Sequence, residues 1–526
     1  MRIYNRKIEV KGEIQIGKLL NLVQGRDLSQ RIEPRFDASR PTQGINPVHF
    51  YRSIKQDSSG QSEEKIRFYF EDTKKDLYIE DQGLCQSYGI FGLSGTGKTN
   101  LLEHLIQQIL AHKKGDRECK FGGLIIDPKA ALIDPITEIM RQIGRQDDLL
   151  ILHPRDGQAV NIIDAAFDPY DLGKALFLAA KNSGIGASDP YWLQNLEKIT
   201  GAAIHVLDTI SNSVPTLKDI VDVLTTIDEI EIPEARHIDT VPRLRIHLND
   251  AKQRLKQMTE DEGNDLKKSI QALEEYLKDE KKYVQDNFTR QAFGEFQWSK
   301  YKCFSPSVKK SERGMSIYDQ IIENGKVVLL SIASTNLAIA KILCTLIKCL
   351  FQNAVLTRLD RFDAKKLKNF DRPLLFVADE YSTVATDLPG EAMGDSHFFS
   401  QARQFGCMAL IATQNIHQLE NSSLGKNWKS VFSNFASKIF MRVGDAETAE
   451  EASKLVGDGL YNITYISKTF GKEGIGIGER EERRERKDLP SNILTQMLKI
   501  GECVVIGSLD GNKTTNVYFV RVPERK

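Results

Sequence analysis

Residues 92–99 combine glycines with a lysine and a threonine in the spacing that binds phosphate groups. Gly92 to Thr99 matches the pattern G-x-x-x-x-G-K-[ST]. The backbone N–H groups of such a loop converge on a polyphosphate, and glycines permit the close approach because they carry no Cβ. Lys98 can reach the β- and γ-phosphates, and the Thr99 hydroxyl can ligate Mg²⁺. The predicted nucleotide-binding residues are Gly92, Ser94, Gly95, Thr96, Gly97, Lys98, Thr99 and Asn100.

The segments on either side of this loop favour the setting in which it works. Residues 86–91 predict a short buried strand, and the apolar residues that follow the loop recur at helical spacing. The helix would direct the positive end of its dipole at the phosphates. The order strand, glycine loop, helix therefore predicts a site for ATP and Mg²⁺, against the alternative of a glycine-rich turn without a ligand.

A second strand supplies the acidic residues that phosphoanhydride hydrolysis requires. The apolar residues 374–378 are followed directly by Asp379 and Glu380. Asp379 would hold Mg²⁺, largely through water, and Glu380 would orient and deprotonate the attacking water. Buried strands often end in acidic residues without such a role, but the preceding phosphate-binding loop favours the catalytic interpretation.

Three further polar residues are candidates with open alternatives. Gln414 follows the predicted strand 408–412 and could sense the γ-phosphate, or could be an amide bonded within a turn. Arg403 could reach the nucleotide of a neighbouring subunit, an effect of about 10³–10⁵ in rate, or could be an exposed helical arginine. Asp127 ends another predicted strand and could touch the site, or could cap a turn with Pro128.

The remaining pattern predicts four parts and an α/β fold. Residues 1–80 predict a small β-rich module, and 81–205 the first half of a nucleotide-binding domain. Residues 206–320 predict an all-α insertion, with a charged helical pair broken near residues 262–264. Residues 321–526 return to α/β and complete the nucleotide-binding domain. The charged face of the helical pair is either solvated or a partner surface.

Within the last part, the apolar segments 438–442 and 502–506 predict further strands of a large, parallel sheet. Residues 471–478 are rich in glycine, and 479–488 form a block of mixed charge. This composition predicts a mobile surface loop.

The composition of the whole chain gives few restrictions on function. Among 526 residues, Lys+Arg and Asp+Glu each total 72, so the net charge is zero and gives no general attraction to nucleic acid. A ring still needs only a few basic side chains per subunit in its channel. The seven cysteines contain no C-x-x-C pair, which favours buried thiols in a reducing cytosol.

The apolar helix predicted at residues 338–356 contains Lys341 and Lys348, so we expect a core helix rather than a membrane span. The N-terminus shows no apolar region of a signal peptide. We therefore expect no integral membrane segment, and a cytoplasmic protein that at most contacts the inner membrane peripherally.

Together these motifs resemble the FtsK–HerA superfamily of DNA-pumping ATPases, and within it the type IV coupling proteins of the TraD/TraG kind. The resemblance covers about residues 81–526. The Asp-Pro-Lys segment, the spacing from Arg403 to Gln414 and the Asp-x-Glu-Thr-Ala segment are more specific than the phosphate-binding loop and the acidic strand end. The matching stretches are Gly92–Thr99, Ile126–Lys129, Asp189–Trp192, Ala378–Glu380, Arg403–Gly406, Ala412–Gln414, Arg442–Ala449 and Leu455–Gly457.

The resemblance implies a RecA-like core with an inserted all-α domain, a homo-hexameric ring and ATP-driven movement of DNA. It implies that Lys98 and Thr99 bind ATP–Mg²⁺, that Glu380 is the catalytic base, that Gln414 is a sensor and that Arg403 acts on the neighbouring subunit. Coupling proteins of this kind usually begin with two membrane helices, and no such helices are expected here.

The expected function is therefore DNA translocation, of single or double strands, most simply in conjugation with a relaxase and a secretion-channel protein. The alternatives are a HerA-like motor in repair or anti-phage defence with a nuclease partner, a protein-secretion or assembly ATPase without DNA, and a scaffold whose assembly ATP binding controls.

Overall fold

The computed structural model describes the chain in two compact units. The first comprises residues 1–109, 412–418 and 435–526, and the second residues 110–411 and 419–434. The four-part division expected from the sequence stays a prediction. The residues that the structure describes are 14–25, 67–80, 83–154, 157–163, 168–184, 190–225, 243–279, 289–297, 299–332, 337–358, 372–387, 393–471, 474–509 and 516–523.

The named strands and helices follow in chain order. The strands are β1 (Ile14–Gly25), β2 (Arg67–Ile79), β3 (Ser87–Phe91), β4 (Gly122–Asp127), β5 (Leu149–Leu152), β6 (Val327–Ser331), β7 (Leu374–Ala378), β8 (Cys407–Thr413), β9 (Ser437–Phe440), β10 (Asp458–Gly471), β11 (Gly474–Lys487), β12 (Glu502–Gly507) and β13 (Asn516–Arg521). The helices are α1 (Lys98–Ala111), α2 (Ile133–Gln142), α3 (Pro169–Ser183), α4 (Pro190–Ile210), α5 (Leu217–Thr225), α6 (Arg243–Leu255), α7 (Glu260–Lys278), α8 (Ile317–Asn324), α9 (Leu337–Leu356), α10 (Asp395–Gln401), α11 (Ile416–Glu420), α12 (Trp428–Asn434) and α13 (Ala446–Val456).

The second unit contains a parallel sheet in the order β8-β7-β4-β6-β5. The residues of β4, β6 and β7 are buried throughout, as expected for apolar strands covered on both faces. Because parallel strands end at the same edge, the residues after β4 and β7 lie side by side. The predicted strands that end at Asp127 and directly before Asp379, and the predicted strand 408–412, are confirmed.

The first unit contains strands in the order β2-β1-β13-β12-β9-β3. β3 and β9 are parallel, as the sequence predicted, but β12 is antiparallel to both β9 and β13. The expectation that residues 502–506 add another parallel strand is therefore wrong. A buried apolar strand has the same composition in either direction, so the sequence alone did not determine its orientation.

Two strands from the N-terminal part join this same sheet. β1 pairs with β2 along its length and with β13 at Lys18 and Leu19. The predicted strand character of this part is confirmed for β1 and β2. Residues 1–13 and 26–66 of the predicted β-rich module lie outside the described residues.

The segment that was expected to be a mobile surface loop is a β-hairpin. β10 pairs with β11 in an unbroken antiparallel register from Asp458–Lys487 to Gly471–Gly474. The prediction from composition is wrong here because hydrogen bonding to β10 stabilises β11, and β10 is rich in the Ile, Tyr and Thr that strands prefer.

The helices of the second unit pack on one another along the predicted insertion. α4 packs against α3, α5, α6 and α7. The helical pair is confirmed, but α6 ends at Leu255 and α7 begins at Glu260, so the predicted break near residues 262–264 is wrong. Gly263 lies inside α7 and donates to the Thr259 carbonyl at 2.9 Å, since a single glycine costs a helix only about 1 kcal/mol.

α9 is long and apolar enough to cross a membrane by length and composition alone. It is mostly buried inside the second unit, where it packs against α3, α8 and β4. Its Lys348 is completely buried and carries an ion pair. These contacts confirm the prediction of a core helix.

The ion pair of Lys348 is part of a buried polar network. Its ammonium lies 2.7 and 2.8 Å from the two carboxylate oxygens of Asp395, at the start of α10, and donates to Thr386 Oγ1 at 2.7 Å. Gln352 and the Tyr381 hydroxyl also donate to Asp395. Burial and the Asp395 carboxylate raise the pKa of Tyr381, which keeps its hydroxyl protonated as a donor. The network ties α9, α10 and the segment after β7 together.

We expect Lys348→Met to lower the free energy of unfolding by about 3–5 kcal/mol, because the substitution leaves the Asp395 carboxylate buried without its cation. Urea denaturation of both proteins measures the difference. Lys309→Met is the matched control: its pair with Glu312 is 69% and 65% exposed. That substitution should cost at most about 1 kcal/mol. Equal losses in the two variants would contradict the prediction.

Candidate nucleotide-binding and hydrolysis site

The phosphate-binding loop of the first unit has the backbone that its glycines were expected to provide. Gly95 and Gly97 adopt φ values of +77° and +107°, in the left-handed region that glycine tolerates. The loop joins the end of β3 to α1, which begins at Lys98. The predicted order of strand, loop and helix is therefore present.

Hydrogen bonds fix this loop to its surroundings in the same unit. The Gly92 N–H faces the carbonyls of Thr413 and Gln414, at 3.3 and 3.2 Å, and the Leu93 N–H donates to the Arg442 carbonyl at 2.9 Å. The Lys98 ammonium donates to the carbonyls of Gly92 (2.6 Å) and Leu93 (3.0 Å). Its cation is thus held against the first two residues of the loop.

The residues present fit a bound nucleotide phosphate. A Cβ on Gly92 would lie 2.8 Å from Met441 Cβ and 3.0 Å from Thr96 Oγ1, so only glycine allows this close approach of the backbone. Ser94 and Gly95 are exposed, and Thr99 is only partly buried at the start of α1. The loop therefore presents N–H groups, a lysine and a hydroxyl from one turn of chain.

The structure brings Gln414 to this loop. Its carbonyl accepts from the Gly92 N–H, and its own N–H donates to the Gln418 side chain at 3.3 Å. Gln418 also accepts from the Thr413 hydroxyl at 3.3 Å. The side chain of Gln414 therefore starts next to the first glycine of the loop. Its role as a sensor stays a prediction. Asn100, also predicted to bind nucleotide, donates through its side chain to the Pro523 carbonyl at 3.1 Å.

In the second unit, Asp379 and Glu380 follow β7 as predicted. Both residues are buried, with 3% and 5% of their surfaces exposed. The Asp379 N–H donates to the Ile126 carbonyl of β4 at 3.2 Å. Glu380 has φ +54°, a left-handed conformation that costs a residue with a Cβ about 1–2 kcal/mol. Backbone strain of this kind often occurs at functional sites.

Asp127 resolves one of the alternatives left open by the sequence. Its carboxylate accepts from the N–H groups of Lys129 (3.1 Å) and Leu132 (2.7 Å) and from the Ser331 hydroxyl (3.2 Å). Burial raises the pKa of Asp127, and these hydrogen bonds oppose the rise. Asp127 therefore caps and shapes the turn after β4.

The turn that Asp127 shapes carries a residue that the sequence analysis did not assign. The Lys129 ammonium forms a short ion pair with Glu380 Oε1. The sequence signal was the Asp-Pro-Lys segment after β4, but nothing in the sequence pairs that lysine with an acid 251 residues away. The parallel order of β4 beside β7 creates the contact.

Arg403 lies elsewhere in the second unit. It is exposed in the turn between α10 and β8, at the amino end of β8. Glu380 follows the carboxyl end of β7, which is parallel to β8 with Leu374 opposite Cys407. Within one chain, Arg403 and Glu380 therefore lie at opposite ends of these parallel strands. The structure does not bring Arg403 to the Glu380 of its own subunit.

Comparison with known proteins gives a family for part of the chain. Residues 373–498, which include Asp379, Glu380, Arg403 and Gln414, match the family model described as the TraM recognition site of TraD and TraG. This part of the chain is similar to TraD and TraG. Curated proteins yield no match.

Solved structures show the fold of most of the chain. The unbound form of the bacterial conjugative coupling protein TrwBdeltaN70 matches with TM-score 0.58 and 15% identity, over 86% of this chain and 87% of that chain. TrwB with ADP and Mg²⁺ matches with TM-score 0.55 and 14% identity, over 86% and 88%. TrwB with a non-hydrolysable ATP analogue matches with TM-score 0.53 and 15% identity, over 84% and 87%.

These matches confirm the fold class that the sequence predicted, which is an α/β core with a mostly parallel sheet and an all-α part. The family model supports the resemblance to TraD and TraG over residues 373–498. At sequence identities of 14–15%, these matches show a shared fold and no more.

Proposed function

We propose that this protein is an ATP-driven DNA translocase that acts as a homo-hexameric ring in conjugative DNA transfer. The observation that carries the proposal is the phosphate-binding loop together with the buried Asp379–Glu380 strand end, in a fold shared with the coupling protein TrwB. TrwB has been solved with ADP and Mg²⁺ and with a non-hydrolysable ATP analogue, which supports the same ligand class here.

Each proposed site residue has a role that follows from its chemistry. The loop N–H groups and Lys98 bind the phosphates of ATP, and Thr99 and Asp379 hold Mg²⁺. Bound Mg²⁺ neutralises charge that develops on the phosphates. Glu380 accepts a proton from the attacking water, and Gln414 senses the γ-phosphate beside Gly92.

The position of Arg403 supports a role between subunits. Its guanidinium starts from an exposed turn at the sheet edge opposite Glu380 of its own chain. In a ring, such a residue reaches the nucleotide bound by the next subunit and stabilises the transition-state charge. This arrangement makes hydrolysis depend on assembly.

The proposed partners are DNA, further copies of this chain and proteins of the transfer machinery. The family model that matches residues 373–498 is named for recognition of TraM, so we propose a TraM-like protein as a contact of this segment. A relaxase and a secretion-channel protein complete the set that conjugation requires.

The direct test is ATP turnover of the purified protein with single-stranded and with double-stranded DNA. We expect DNA to raise turnover, and we expect the stimulation to fall as salt rises, because phosphate contacts release counterions. Unchanged turnover with both DNA forms at low salt would contradict translocation and favour a protein-secretion or assembly ATPase. A genomic neighbour encoding a nuclease in place of a relaxase would favour a HerA-like motor in repair or defence.

A further inference from the structure

Lys129 contacts the proposed catalytic base directly, and the proposed function gives it no role. Its ammonium pairs with Oε1 of Glu380, whose side chain is 7% exposed, while the Lys129 side chain is 48% exposed. An ion pair between two exposed side chains is worth about 0–1 kcal/mol. Here the Glu380 side chain is buried. Removal of the Lys129 ammonium would therefore leave the charge of the Glu380 carboxylate poorly compensated.

The backbone of Lys129 is fixed independently of Glu380. The Asp127 carboxylate accepts from the Lys129 N–H at 3.1 Å and from the Leu132 N–H at 2.7 Å. Between them Ala130 adopts φ +54°, a conformation that a residue with a Cβ takes only when its surroundings hold it. These contacts fix the backbone of the turn after β4, and with it the position of the Lys129 Cα.

The backbone of Glu380 is fixed as well, but its carboxylate lies at the end of a flexible side chain. The Glu380 carbonyl accepts from the Thr383 N–H and hydroxyl, both at 2.9 Å. The hydroxyl of the next residue, Tyr381, donates to the buried Asp395. These contacts hold the main chain at φ +54°. Three side-chain torsions beyond Cα still have to be set before the carboxylate meets a water molecule.

We propose that Lys129 is the positioning residue of hydrolysis: it holds one oxygen of the Glu380 carboxylate, so that the group keeps the orientation in which it accepts the proton of the attacking water. This inference rests on the proposed ATPase function. In that reaction the water oxygen bonds to the γ-phosphorus, the bond from that phosphorus to the β-phosphate oxygen breaks, and Glu380 takes the water proton as ADP and phosphate form.

The test compares Lys129→Met and Lys129→Arg with the wild-type protein. Lys129→Met keeps an unbranched side chain one atom shorter and removes the ammonium. We expect kcat to fall about 10–100-fold, since a base displaced by about 1 Å can cost that much. The Kd for ATP should stay within about twofold, because Lys129 acts on the base rather than on binding. Lys129→Arg keeps a cation and should recover most of the lost kcat.

Lys252→Met is the matched control. Lys252 is 46% exposed and pairs with Glu274 on the helical part of the same unit. Its kcat should stay within about twofold of wild type. Thermal unfolding of all variants shows whether each is folded. Lys129→Arg keeps a cation beside the buried Glu380 and is the folded reference if Lys129→Met lowers stability.

Several outcomes would overturn the proposal. These are a kcat of Lys129→Met within about twofold of wild type, a kcat that rises, or a loss of ATP affinity as large as the loss of turnover. In a Glu380→Gln background, Lys129→Met should cause no further loss, and an additive loss would also refute it. A wild-type protein without ATP turnover would instead refute the proposed function, before any variant is compared.

Discussion

Glu380→Gln is expected to bind ATP and to lose turnover by about 10²–10⁴-fold, the contribution of general base catalysis. The amide is nearly the same size as the carboxylate but does not accept a proton from water. Glu380 is buried and sits on a left-handed backbone at the end of β7. The loss should therefore appear in kcat.

The measurement pairs steady-state turnover with equilibrium binding of ATP. Glu312→Gln serves as control, since the Glu312 side chain is 65% exposed in an ion pair outside the candidate site. If Glu380→Gln kept turnover, Glu380 would not be the base. If Glu380→Gln lost ATP affinity by the same factor as turnover, Glu380 would contribute to ATP binding in the ground state instead.

Arg403→Ala is expected to lower turnover by about 10³–10⁵-fold in the assembled protein, the range found for arginines that act on a transferring phosphoryl group. The arginine is exposed and lies away from Glu380 of its own chain. Its removal should therefore leave ATP binding and folding of the single subunit intact. Arg141→Ala is the control, because Arg141 is a 68% exposed arginine in a local pair with Glu138.

Mixing the two inactive variants tests whether Arg403 acts between subunits. A subunit with Arg403→Ala still has Glu380, and a neighbouring subunit with Glu380→Gln still has Arg403. Mixed rings should therefore regain part of the wild-type turnover, although each variant alone is inactive. A mixture as inactive as its components, in rings shown to exchange subunits, would place Arg403 within its own site or outside the chemistry.

Local chemistry explains why much of the site was predictable. The glycines of the phosphate-binding loop need left-handed backbone at Gly95 and Gly97, and the acidic residues follow an apolar strand directly. Such signals lie within about ten consecutive residues, so hydropathy and residue type reveal them. The residue-by-residue roles stay predictions until turnover is measured.

The wrong predictions concern strands whose pairing or direction depends on another segment of the chain. β11 was expected to be a loop because its glycines and charges give no strand signal, yet it pairs with β10. β12 was expected to be parallel, but its neighbours β9 and β13 run the other way. Strand pairing is set by the partner and its direction, neither of which a single segment encodes.

The sequence by itself determined the glycine loop with the phosphate-binding pattern, the acidic strand end and the α/β alternation, because each depends on residues adjacent in the chain. Only the tertiary structure decided that Asp127 shapes a turn, that Lys129 pairs with Glu380 and that Arg403 lies at the opposite sheet edge. Those relations depend on which strands are neighbours in the sheet. Strand order is fixed by the packing of the whole core, in which no short segment specifies its own place.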